Sequence, residues 1–164
     1  KLNKNLLKQK KNKMKKSLIL LILFFFQFCF GQGSGFSFRV NSITEFYDSQ
    51  SSIYIRRYQG SEISLKLNLT NEELTLINDF FDKIKFYDFP DNFSCDEKIS
   101  VLPNVSYDIL LRKNGLIKES INSNCIKNDN EKERKFEKLW NFIFSILNNK
   151  EVIRKMKNSD IELI

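Results

Sequence analysis

The chain has 164 residues, with 27 Lys and Arg against 20 Asp and Glu, a net charge of +7, and neither His nor Ala. Such an excess of positive charge is typical of proteins that bind nucleic acids or anionic membranes. The absence of His excludes, within this sequence, a Ser-His-Asp or Cys-His catalytic system and any metal site with a His ligand. The sequence alone therefore does not identify a biochemical activity.

The positive charge is concentrated before an apolar segment near the start of the sequence. Eight basic residues precede that segment, and no acidic residue occurs before Glu45. Residues 14–31 have the basic, apolar and small-residue regions of a secretory signal peptide, and we expect cleavage after Gly31. Residues 1–13 are interpreted either as sequence upstream of a start at Met14 or as an extension of the basic region.

Two other interpretations of the apolar segment stay open. Residues 18–30 could remain as a membrane anchor, but as a helix they span only about 20 Å against a hydrocarbon core of about 30 Å. Cys29 could be lipidated, but the large side chain of Phe28 precedes it, where a bacterial lipobox has a small residue. We therefore expect residues 32–164 to form a single exported domain, periplasmic or secreted, with no stable membrane span after cleavage.

Removal of the leader changes the charge and the cysteine count. Residues 32–164 carry 19 basic and 20 acidic residues, so their net charge is −1 and no nucleic-acid partner is expected. Their length is typical of one domain, and their Ile, Leu and Phe residues suffice for a core. Cys95 and Cys125 remain, and an even pair in an exported protein favours a disulfide. Two buried free thiols are the alternative.

Alternating apolar and polar residues predict three strands in the first half of the domain. These strands cover residues 36–41, 53–58 and 63–69, and we expect them to form an antiparallel meander. Thr70 and Glu73 have the spacing of a capping box, which predicts a helix from there to about residue 85.

The second half repeats the pattern of strands followed by a helix. Strands are predicted over residues 105–112 and 116–121, joined at Asn114-Gly115, a strong hairpin signal. A helix with an apolar stripe follows, from about residue 129 to residue 148. The predicted fold class is α+β: an antiparallel sheet of about five strands, in the order β-β-β-α-β-β-α, with two helices packed on it.

The most distinctive polar cluster is Arg56-Arg57-Tyr58 on the second predicted strand. Neighbouring side chains on a strand point to opposite faces, so the two arginines are expected on different sides of the sheet. We interpret the cluster as a possible contact for an anion or a partner. A surface ion pair with a Glu on a neighbouring strand is the alternative.

No pattern in the sequence indicates an enzyme. The glycine-rich nucleotide loops, the nucleophile elbow and the common zinc patterns are all absent from it. Carboxylates occur at Asp88, Asp91, Asp96 and Glu97, but they lack the spacing of a calcium loop and are interpreted as solvated. We therefore expect no catalytic residue, no metal site and no cofactor.

With these features in view, the chain resembles small exported proteins of unknown function found in Bacteroidetes, especially flavobacteria. The resemblance is carried by residues 14–32, by Arg56-Arg57-Tyr58, by residues 85–90 (Lys-Phe-Tyr-Asp-Phe-Pro) and by Asn114-Gly115. It implies an envelope or secreted location, and it supplies no catalytic residues.

Two functional hypotheses follow from the sequence. The first is a non-enzymatic domain that binds an unknown protein or envelope component through an edge or a face of its sheet. The alternative is a small carboxylate-dependent hydrolase, or a hydrolase inhibitor, that uses the carboxylates of residues 88–97. Convergence of these carboxylates in a pocket would favour the alternative.

Overall fold

A computed structural model of the protein describes residues 35–93, 106–123 and 130–161, which form an α+β domain. Residues 1–34, which include the predicted leader, and both Cys95 and Cys125 lie outside the described residues. The strands are β1 Phe36–Asn41, β2 Glu45–Asp48, β3 Ile53–Tyr58, β4 Ser61–Lys66, β5 Asn92–Phe93, β6 Tyr107–Lys113 and β7 Leu116–Asn122. The helices are α1 Asn71–Ile84, α2 Glu131–Asn148 and α3 Glu151–Arg154, with a 3₁₀ turn at Phe86–Asp88.

All seven of these strands belong to one sheet, in the order β4-β3-β2-β1-β6-β7-β5. The expected α+β class is confirmed, but the sheet is larger than the five predicted antiparallel strands, and it is mixed because β5 pairs parallel with β7. Sequence alternation missed β2, which has four residues, and β5, which has two. As a consequence, β1 and β3 are not neighbours, because β2 lies between them.

The strand pairs that were predicted have their expected turns. Asn114 and Gly115 both have positive φ, at 53° and 78°, which matches the right-handed twist of the β6–β7 hairpin. Gly60 has a φ of 79° in the two-residue turn between β3 and β4, a conformation that a side chain would strain. These local backbone requirements set the register of both hairpins.

One face of the sheet packs against α1 and α2 through aromatic rings. In α1 the buried residues are Ile77, Phe81 and Ile84, and Phe80 instead stacks on Phe142 of α2 with ring centres 4.9 Å apart. Ring contacts with centre distances of 4.6 to 6.1 Å run continuously from sheet to helix and back. In order of contact the rings are Tyr47, Phe38, Phe81, Phe86, Phe89, Phe93, Phe136, Tyr107, Trp140 and Phe144.

The chain after α2 returns to the sheet and covers one end of β3. Ile153 of α3 is buried in the core, and Met156 packs against it. Beyond α3, the carbonyl of Lys157 and the side chain of Ser159 both hydrogen-bond to residues of β3. Among the described residues, no helix has both the length and the apolar character needed to cross a membrane.

The capping box predicted at the start of α1 is present. The Glu73 amide donates to the Thr70 hydroxyl at 3.2 Å, and the Thr70 amide donates to the Glu73 carboxylate at 2.8 Å. Lys150, between α2 and α3, donates to the same carboxylate at 2.5 Å. The Glu73 carboxylate therefore accepts a hydrogen bond from the backbone at the start of α1, and it also connects this helix to the chain after α2.

We expect Thr70→Ala to lower the free energy of unfolding by about 1 kcal/mol, because the amide of Glu73 loses its acceptor. Urea unfolding followed by circular dichroism measures the change. Thr75→Ala is the matched control, since the Thr75 hydroxyl only donates to the Asn71 carbonyl within the same exposed helix face. An equal loss of stability in both variants would contradict the capping role.

Candidate binding cleft

The strand β3 places Arg56 and Arg57 on opposite faces of the sheet, as alternation predicts. Arg56 lies on the face covered by the helices and is only 6% exposed. Tyr58 lies on the same side, near the end of the strand. The three residues of the predicted cluster therefore do not form one surface.

The guanidinium of Arg56 forms a buried ion pair with Glu45, its cross-strand neighbour on β2. Its Nη2 and Nε lie 2.7 and 3.1 Å from Oε1 of Glu45. The hydroxyl of Tyr54 donates to the same carboxylate oxygen at 2.5 Å, and Nη1 of Arg56 donates to the Lys157 carbonyl at 3.2 Å. An ion pair with a Glu on a neighbouring strand was the alternative interpretation of this cluster, and it is present. It is buried and not on the surface, because the chain after α3 covers it.

Burial also determines the protonation of the tyrosine in this network. Loss of hydration raises the pKa of Tyr54 well above its ordinary value, and its hydrogen bond to the Glu45 carboxylate raises it further. The hydroxyl therefore keeps its proton and donates to Glu45. The charged groups of Arg56 and Glu45 both have hydrogen-bond partners, which limits the free-energy cost of burying the two charges.

Arg57 and Tyr58 hold neighbouring backbone segments. On the face of the sheet opposite the helices, Arg57 donates to the Ser42 carbonyl at 2.5 Å and to the Asn41 side chain at 3.2 Å. The Tyr58 hydroxyl donates to the Lys157 carbonyl at 2.9 Å, and Ser159 donates to the Arg57 carbonyl at 2.6 Å. Both residues thus stabilise loops and the C-terminal segment around β3.

A cleft of about 390 Å³ lies where β2 and β3 meet the end of α2 and the chain after it. Its volume falls within the usual range for small-ligand sites. Arg154 of α3 contributes a cation that forms no ion pair with any residue in the described segments. The lining residues are Thr44, Glu45, Arg56, Asn148, Ile153, Arg154, Met156, Asn158 and Ser159.

The cleft is polar, and its charges favour an anionic group. Glu45 neutralises Arg56, so the charge of Arg154 is the one left without a counterion in the lining. The amide groups of Asn148 and Asn158 can both donate and accept hydrogen bonds. A carboxylate could pair with Arg154 and accept from these neighbours. Sequence reasoning found Arg56 but missed Arg154 and Asn158, which reach the cleft only through the path of the chain after α2.

The carboxylates named for the hydrolase hypothesis do not line this cleft. Asp91 forms an ion pair with Lys118, and its side chain is 92% exposed. Asp88 is exposed, and its carbonyl accepts a hydrogen bond from Lys132. Asp96 and Glu97 lie outside the described residues. Within residues 35–93, 106–123 and 130–161, no group of three or more acidic or Cys side chains is placed to hold a metal ion.

A second buried charge, Glu133, lies near the opposite end of the sheet. It is 5% exposed, in the first turn of α2, and its Oε2 is enclosed without a hydrogen-bond partner. Burial raises the pKa of Glu133, repulsion from Glu137 raises it further, and a hydrogen bond with Asn122 partly offsets both. Burial and these two carboxylates also raise the pKa of the neighbouring Tyr107 to about 12.

Glu133 lies in the first turn of α2, where the helix macrodipole favours an acidic side chain. Its spacing from Phe136 and Trp140, however, places it in line with the apolar stripe of α2. Loss of hydration outweighs the dipole at this position.

Comparison with family models, with curated proteins and with solved structures finds no match to this chain.

We expect Glu133→Gln to raise the free energy of unfolding at pH 7.5 by on the order of 1 kcal/mol, since it removes a poorly solvated charge. The pKa of Glu133 is higher in the folded protein than its ordinary 4.5, so the unfolded chain ionises first as the pH rises. The contribution of Glu133 to the free energy of unfolding is therefore at its maximum below about pH 4.5 and decreases as the pH rises above that value.

Thermal unfolding of both proteins at pH 4.5 and pH 7.5 measures this effect. The gain of Glu133→Gln should appear at pH 7.5 and shrink at pH 4.5. Glu131→Gln is the matched control in the same helical turn, because its pair with Lys135 lowers the pKa of Glu131 and the sign of the pH dependence reverses. Equal effects of the two substitutions at both pH values would contradict the assignment.

Proposed function

We propose that the chain is an exported, non-enzymatic domain that binds a carboxylate-bearing segment of a partner in the cell envelope or outside the cell. The observation that carries the proposal is the cleft in which Arg154, which has no ion-pair partner among the described residues, lies beside Asn148 and Asn158. The buried Arg56–Glu45 pair lines the same cleft. This arrangement can hold an anion and offers no converging carboxylates for catalysis.

Export is supported by the order of regions in residues 14–31 and by the neutral balance of the remaining charges. We place the start of the mature chain at Gln32. The domain then carries a net charge of −1, which disfavours nucleic acids as partners.

A disulfide between Cys95 and Cys125 is the covalent part of the proposal. The strands β5 and β7 pair in parallel, with Phe93 opposite Asn122. Each cysteine follows the C-terminal end of one of these strands by two or three residues. Because neighbouring strands lie about 4.8 Å apart, Phe93 and Asn122 are close to each other, and this supports the proposed disulfide.

Binding can be tested with a capped tetraglutamate peptide, with capped tetraglutamine as the neutral control. We expect tetraglutamate alone to cause saturable shifts of the Arg154, Asn158 and Ser159 amides in ¹H–¹⁵N correlation spectra. Arg154→Glu should weaken the affinity at least about tenfold, because an attraction becomes a repulsion.

Lys155→Glu is the matched control for the charge reversal. Lys155 is the next residue, is exposed, and does not line the cleft. It should retain most of the binding. An equal effect of both reversals would mean that only net charge matters, and the absence of tetraglutamate shifts in the wild type would refute the anion site.

Intact mass tests export and the disulfide together. The protein recovered outside the cytoplasm should have the mass of a chain that begins at Gln32. Reduction should raise that mass by about 2 Da, one hydrogen for each sulfur. Cys125→Ser should show no such gain. A wild-type mass that reduction leaves unchanged would refute the disulfide, and a retained Met14 would refute cleavage.

A further inference from the structure

The strand β4 forms one edge of the sheet, and no described strand pairs with its outer side. It is the terminal strand in the sheet order and pairs only with β3 among the described strands. Five of its six residues are exposed, and Leu65 is half-buried. A strand edge of this kind presents unpaired backbone groups that can bind another strand.

The backbone groups that point outward can be identified from the register. The amide of Leu67, just after β4, donates to the Ser52 carbonyl at 2.8 Å. Residues of an antiparallel strand alternate between bonding to one side and to the other. Leu65 and Ile63 therefore bond to β3, and the amide and carbonyl groups of Glu62, Ser64 and Lys66 point away from the sheet.

The side chains of the same three residues carry a self-complementary charge pattern. Glu62 and Lys66 lie at equal distances on either side of Ser64, and neither forms an ion pair within the described part of the chain. In an antiparallel pair centred on Ser64, Glu62 of one copy lies opposite Lys66 of the other, and the reverse pair forms as well. Ile63, which is 48% exposed, then lies opposite Leu65.

We propose that the β4 edge binds the β4 edge of a second copy of this chain, antiparallel, around a twofold axis at Ser64. The two seven-stranded sheets then become one continuous sheet. The three outward pairs supply about six backbone hydrogen bonds. The exposed Ile63 side chains gain apolar neighbours on the helix side of the joined sheets.

The charges favour this register over those centred on Glu62 or Lys66. A shift of the twofold axis to Glu62 places two carboxylates opposite each other, and a shift to Lys66 places two ammonium groups opposite each other. Like charges directly opposite on a sheet destabilise the pairing. An unrelated partner strand would not be expected to match the Glu-Ser-Lys spacing in both directions, whereas a second copy matches it by symmetry.

The interface is one strand long, so the dimer should be weak. A strand pair of this length buries less surface than a standard stable interface, and we expect a dissociation constant in the micromolar range, on the order of 10–100 µM. Sedimentation equilibrium of the purified chain across 1 µM to about 500 µM, with its terminus established by intact mass, measures this constant.

A charge exchange tests the register directly. Glu62→Lys alone and Lys66→Glu alone each place like charges opposite each other twice, and each should weaken dimerisation at least about tenfold. The double variant Glu62→Lys with Lys66→Glu restores opposite charges and should restore the dimer. Ser64→Pro removes one outward amide per copy and should also weaken it, since proline is tolerated on the free side of an edge strand.

The control is the unfolding temperature of each monomer, measured at protein concentrations below the dissociation constant of the dimer. Each variant should then unfold at the same temperature as the wild type, because the substituted side chains are exposed. A chain that stays monomeric up to about 500 µM would overturn the proposal. A dimer that survives both single exchanges, or that the double exchange fails to restore, would place the interface elsewhere and overturn it equally. If the β4 edge instead binds only an added peptide of different sequence, its partner is a strand of another protein, and the proposed dimer is wrong.

Discussion

The packing of aromatic rings between one face of the sheet and two helices is the interaction on which the rest of this structure depends. Nine of the 20 buried apolar residues in the described segments are Phe or Tyr, so aromatic rings make up a large part of the core. Rings prefer edge-to-face or offset contacts, and a continuous series of such contacts connects β1 through α1 to α2. Both helices lie on one face, no described strand pairs with the outer side of β4, and the chain after α2 returns across the end of β3.

That return path creates the cleft and also buries the Arg56–Glu45 pair. A buried ion pair is tolerated only when each charged atom has a partner, and Arg56 reaches Glu45, Tyr54 and the Lys157 carbonyl. Glu133 is the contrasting case, with an enclosed oxygen and a raised pKa. One end of the domain thus holds a charge network whose groups are all hydrogen-bonded, and the other holds a carboxyl group whose pKa is raised by burial.

Prediction succeeded where a few adjacent residues decide the outcome. The Thr70–Glu73 cap, the Asn114-Gly115 turn and the bounds of β1 and β3 depend on contacts within one turn or one strand. It failed at β2 and β5, because a four-residue or two-residue strand is defined by its partners rather than by its own alternation. In the site, Arg56 was identified, but its burial was not, since the covering carbonyl of Lys157 is about a hundred residues away in sequence.

The sequence by itself determined the fold class, the two long helices and the two hairpins with glycine turns, because these follow from periodicity and from backbone conformations that few residues adopt. It also located the excess positive charge before residue 17, ahead of the residues that the structure describes. Only the tertiary structure decided which charges are buried, which strand is the open edge, and that Arg154 meets β2 and β3 at one cleft. Those outcomes depend on long-range packing, which brings together residues whose separation in sequence carries no local signal.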